Sequence, residues 1–151
     1  MATNHFALYC AVNNDRTHYK IGMTQQTKRA REGANFAIVK YVDFNGINRD
    51  RELLFTMEDH IRNYMAQYYT RDYHTDDYFF IEDYNVEEFA ERFLCGIMQL
   101  IRVIKQKKPY VQCYVEDYLD EFEDRIEHNN QCMHSRARWR EFLAEHYNPT
   151  E

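Results

Sequence analysis

Five side chains in the first forty residues have types and spacing that suit chemistry on a phosphate. Tyr9 carries a hydroxyl that can donate to or accept from a water, and Lys20, Lys28, Arg29 and Arg31 bring positive charge within a span of twelve residues. Breaking a phosphodiester needs a water made nucleophilic, a cation against the charge growing on the phosphate, and stabilisation of the leaving oxygen. The chain as a whole has a formal net charge of -6, which argues against a nucleic-acid partner until the charge is divided. Residues 1–40 carry six Lys/Arg and two Asp/Glu, a net of +4, and residues 41–151 carry a net of -10. Screening limits surface fields to about 8 to 10 Å, so a local basic cluster is enough to hold a phosphate. The plain alternative is a solvated basic helix face paired with acids elsewhere.

These residues need elements to position them. Phe6 to Val12 alternates and is rich in β-formers, Asn13 to Thr17 is a polar turn cluster, and His18 to Met23 reads as the return strand of an antiparallel hairpin. Such a hairpin sets Tyr9 and Lys20 on one face and turns Tyr19 toward the core. Residues 28–34 read as a short helix ended by Gly33, Ala37 to Phe44 as a third strand, and Asn45-Gly46 as a turn. Asp50 to Tyr69 shows apolar residues at helical spacing and carries Glu58. Tyr78 to Ile81 reads as a last short strand. Asn85 suits a helix N-cap, with Glu88 at the reciprocal capping-box position, and Phe89, Phe93, Ile97, Ile101 and Ile104 then mark a helix ending before Pro109.

Ala7-Leu8-Tyr9 and Lys20-Ile21-Gly22 resemble the paired motifs of the GIY-YIG nuclease superfamily, in particular the short viral and bacterial branch whose second motif reads Tyr-Lys-Ile-Gly. The likeness continues through Thr24, Arg29 and Arg31, the helix carrying Glu58, and Asp76-Asp77-Tyr78-Phe79-Phe80, and it covers roughly residues 5–82. The resemblance implies a Mg²⁺-dependent endonuclease acting on DNA, with Glu58 as metal ligand, Tyr9 in proton transfer and positioning, an arginine on the phosphate, and Lys20, Thr24, Lys28, Arg29 and Arg31 toward nucleic acid. Lys20 stands where most of the family has a second tyrosine. It supplies charge, and would act as a base only with a pKa depressed by burial or neighbouring cations. Arg29 and Arg31 fall nine and eleven residues after Lys20, about 200° apart around a helix. They cannot both face the site, and Arg29 is the first choice. Ala7 for the family's first glycine, and Arg62 where the branch often has a histidine, keep open a catalytically inactive binding or structural protein, such as a viral or phage accessory or assembly factor.

The remainder of the chain bounds these readings. At 151 residues, with 16% aromatic content and a mean hydropathy of -0.79, the sequence can build one core with an extension. We expect an α+β fold: a small, mainly antiparallel three- to four-stranded sheet flanked by helices, divided as a GIY-YIG-like domain over 1–84 and a helical extension over 85–151. Beyond Pro109, Tyr114 to Ile126 reads as a helix with one heavily acidic face, and Ser135 to Tyr147 as a second that closes an antiparallel hairpin. The acidic face suits mutual solvation, and alternatively a protein partner or DNA mimicry. No apolar run approaches the ~20 residues of a membrane span, no leader is recognisable, and four scattered cysteines without a CxxC pair favour reduced thiols. The expected location is intracellular, in cytoplasm or nucleus, with a viral or phage origin implied by the branch resembled. His128, Cys132 and His134 lack a fourth ligand at zinc spacing.

Overall fold

The computed structural model describes residues 6–25, 36–47, 50–74 and 77–118. Strands β1 (Ala7–Asn13) and β2 (His18–Thr24) form the expected hairpin. Its turn is held by the Asn13 side chain, whose Oδ1 accepts from the backbone N–H of Thr17 at 2.8 Å and of His18 at 3.1 Å. This is the local bonding that makes asparagine a turn former rather than a strand former. Strand β3 (Phe36–Asn45) pairs antiparallel with the other side of β1, with a register shift between Cys10 and Ala11. Gly46 follows at φ +94°, a left-handed conformation that glycine adopts without steric cost.

Helix α1 (Arg51–Met65) is capped by Asp50, whose carboxylate accepts from Leu53 N–H, and buries Leu54, Met57, Ile61 and Met65 at three- to four-residue spacing. Strand β4 (Tyr78–Phe80) adds to the outer edge of β2. Helix α2 (Val86–Lys107) starts at Asn85, whose Oδ1 accepts from Glu88 N–H at 3.1 Å. The reciprocal half of the expected capping box differs: Asn85 N–H donates to the Tyr19 hydroxyl at 2.9 Å, which also satisfies that buried phenol. The two helices cover one face of the sheet, where Leu8, Cys10, Val12, Tyr19 and Ile21 pack against Met57, Ile61, Phe89 and Phe93. Tyr19 and Phe89 stack with centroids 4.0 Å apart.

The fold is α+β, with one strand more than the sequence suggests. Strand β5 (Gln112–Asp117) pairs antiparallel with β3, giving the order β4-β2-β1-β3-β5. This overturns the helix expected from Tyr114. The ten-residue β3 offers a long row of backbone donors and acceptors on its outer side, and six β5 residues satisfy them. Cys113, Tyr114 and Val115 also suit a strand better than a helix interior. The rest of the expected acidic helix, the hairpin partner at 135–147 and the short helix at 28–34 lie outside the described residues. Among the described residues no helix is long and apolar enough to cross a membrane.

Candidate functional site

The two paired motifs meet across the β1–β2 hairpin. Tyr9 pairs directly with Gly22, and Lys20 with Ala11, so Tyr9, Lys20, Gly22 and Thr24 share the sheet face turned away from α1 and α2. The hydroxyl end of the Tyr9 ring covers Gly22. A Cβ at Gly22 would sit 2.5 Å from the Tyr9 Cζ and hydroxyl oxygen, closer than side chains approach, so the tyrosine and the glycine require one another. Tyr9 is stacked on Phe36 from β3, interplanar angle 7°, and is 0% exposed.

Lys20 is enclosed by rings. Its Nζ lies 4.3 Å from the Phe36 centroid, 5.6 Å from Tyr78 and 5.7 Å from Tyr9, and the residue is 5% exposed. Ring faces are electron-rich, and attraction to an ammonium grows as water is removed, so three rings oppose the desolvation of this charge. Thr24 ends β2, buried opposite Ala7.

Glu58 belongs to the helix layer. It is 8% exposed on α1 and pairs with Arg62 one turn later; the same Arg62 nitrogen, Nη2, also pairs with Asp77. Two carboxylates thus converge on one guanidinium. Burial pushes the Glu58 carboxyl above the usual carboxylate range, Arg62 draws it back down, and Asp77 and Asp59 push it up again. Asp77 ties this group to the sheet, since its carbonyl accepts from Ile21 N–H at 2.9 Å.

The expected residues therefore fall into two groups. Tyr9 and Lys20 come together, buried, on the face turned away from the helices, and Glu58 joins Arg62 and Asp77 beside α1. The groups adjoin at β4, where consecutive residues serve each: Asp77 reaches Arg62, and Tyr78, paired with Lys20, faces the ammonium. Lys28, Arg29 and Arg31 lie outside the described residues, as do His128, Cys132 and His134.

Sequence reasoning missed Phe36 and placed Tyr78 only within the closing aromatic segment of the resemblance, because the contact of both rings with Lys20 follows from cross-strand register. Among the described residues, no group of three or more His, Cys, Asp and Glu side chains could hold a metal ion. Comparison of the chain with protein-family models, with curated proteins and with solved structures returns no match.

Proposed function

We propose that the chain is a Mg²⁺-dependent, GIY-YIG-like endonuclease that hydrolyses phosphodiester bonds in DNA. The observation that carries this reading is the cross-strand lock of Tyr9 on Gly22 with Lys20 beside it, because it joins the two sequence motifs into one structural unit. Glu58 and Asp77 offer hard carboxylate oxygens, the donor chemistry that Mg²⁺ prefers, and a metal held by one or two carboxylates keeps several waters. When bound, the ion supplies charge neutralisation at the phosphate and an acidified water. Within the chain, Lys20 holds positive charge at the phosphate, the Tyr9 hydroxyl positions the attacking water and exchanges its proton, and Arg62, released from one carboxylate, can turn to a phosphate oxygen. Arg29 or Arg31 would complete the phosphate contacts.

A second reading, a catalytically silent binding or structural protein, is favoured by two specific observations. Arg62 already neutralises Glu58, and Tyr9 and Lys20 are almost fully covered, so a phosphate reaches them only after a rearrangement. Incubation of the purified protein with supercoiled DNA and Mg²⁺, alongside Glu58→Ala, separates the two. The nuclease reading expects nicking that falls at least about a hundredfold in Glu58→Ala. Absence of nicking with any divalent ion assigns the chain to the second reading, and nicking that Glu58→Ala leaves intact removes Glu58 from the proposed site.

A further inference from the structure

A cavity of about 460 Å³ opens at the far end of β4, away from Lys20 and Glu58, between the end of α1 and the start of α2. It is lined by the aromatic residues Tyr68, Phe80 and Tyr84 and by the acidic Glu82 and Asp83, among others. The volume lies in the range of sites for small ligands or single side chains. We infer that this cavity is a binding site for an arginine side chain presented by a basic segment of a partner polypeptide.

Three observations converge on a guanidinium. The cavity lining is acidic: it holds Glu82, Asp83 and Glu88 against one lining cation, Arg92, which is already paired with Glu88, while Arg16 stands over the Tyr84 ring. Glu82 and Asp83 have no ion-pair partner among the described residues, so their charge is available to a ligand. The rings here also already hold guanidinium groups: Arg92 Cζ lies 4.3 Å from the Tyr68 centroid, and Arg16 Cζ lies 4.7 Å from that of Tyr84. Phe80 is 41% exposed and Tyr68 46%, which leaves aromatic surface for one more flat cation.

An arginine side chain matches both features. Its planar group stacks on a ring while its N–H fork donates to carboxylates, a combination an ammonium offers less well. A phosphate-bearing ligand is disfavoured by the same carboxylates. So is free arginine, whose zwitterionic backbone is strongly hydrated and would lose water against the ring-lined wall. A side chain with both backbone ends blocked, as in a polypeptide, avoids that cost.

The test is an amide NMR titration of the full chain with N-acetyl-L-argininamide, N-acetyl-L-citrullinamide, free L-arginine and adenosine monophosphate. Citrulline keeps the shape and removes the charge. The blocked arginine should shift resonances around Phe80, Glu82 and Asp83 saturably, with the citrulline analogue and free arginine at least about tenfold weaker. The double variant Glu82→Gln/Asp83→Asn should weaken binding of the blocked arginine by about tenfold. Both positions are exposed, so its thermal unfolding should be unchanged. Equal binding of the citrulline analogue, undiminished binding by the double variant, or no saturable shift overturns the site. Free arginine as tight as the blocked form overturns the polypeptide source, and tighter binding of the nucleotide at the same resonances overturns the ligand class.

Discussion

Tyr78 and Phe79 are neighbours on β4, yet their rings meet opposite surroundings. Phe79 is fully buried in the apolar layer beneath the helices, while Tyr78 lies beside the Lys20 ammonium on the other face. The contrast runs across the sheet. On the helix side, buried rings and aliphatic chains interlock, and the Tyr19 hydroxyl is satisfied by the backbone of Asn85. On the far side, a tyrosine, a glycine and a lysine are packed just as tightly but bring polar groups inward. The helix-side face is cohesive throughout, whereas the far face also buries Ala7, Ala11, Phe36, Ile38 and Tyr41 around Tyr9 but encloses with them the Lys20 ammonium, which a core would normally exclude.

The largest expected effect lies on the cohesive face. Phe89 is fully buried and stacked on Tyr19, with Tyr69 at 5.3 Å. Phe89→Ala should cost about 3 to 5 kcal/mol in denaturant unfolding, through lost burial and the cavity left behind. A cost under about 1 kcal/mol would mean that the helix layer collapses to fill the gap, and that this face is no more rigid than the other.

The opposite face should fail by crowding rather than by loss. Gly22→Ala places a methyl group 2.5 Å from the Tyr9 ring, which has no exposed space to retreat into. The expected cost is about 1 to 3 kcal/mol, typical of overpacking. Tyr9→Ala removes the obstacle, so the double variant should be more stable than the sum of the single costs predicts, with a coupling above about 1 kcal/mol. Additive costs would show that the tyrosine and glycine do not constrain one another, and would remove the observation on which the nuclease proposal rests.

How far the sequence revealed these two faces follows from what each depends on. The cohesive face was legible because period-two and period-3.6 patterns report burial directly: Phe6 to Val12, the α1 stripe and Phe89 to Ile104 all fall where the spacing places them. Caps at Asp50 and Asn85 follow the same local logic. Strand β5 was not legible, because its Tyr114 and Val115 fit helical spacing, and only the open side of β3, a non-local feature, decides for strand. The pairing of Tyr9 with Lys20 was readable from the hairpin. The Phe36 and Tyr78 rings around Lys20 depend on register between strands distant in sequence, and Arg62 as joint counter-ion of Glu58 and Asp77 depends on where α1 docks.

Arg62 gives the most diagnostic test, because it links the two faces at Asp77. Arg62→Met keeps much of the apolar stem and removes the charge, leaving the Glu58 and Asp77 carboxylates opposed without a counter-ion. Burial already holds Glu58 above the usual carboxylate range, and Arg62 is the group that pulls it down, so the variant should raise it further. A carboxyl whose folded pKa exceeds its unfolded one binds its proton more tightly when folded. Stability then falls as pH rises from the unfolded value through the folded one. Arg62→Met should therefore lie close to the wild type in acid and be about 1 to 3 kcal/mol less stable at neutral pH. Adding Glu58→Gln removes that titrating group and should flatten the difference; a slope that persists in the double variant would place the pH dependence on a group other than Glu58.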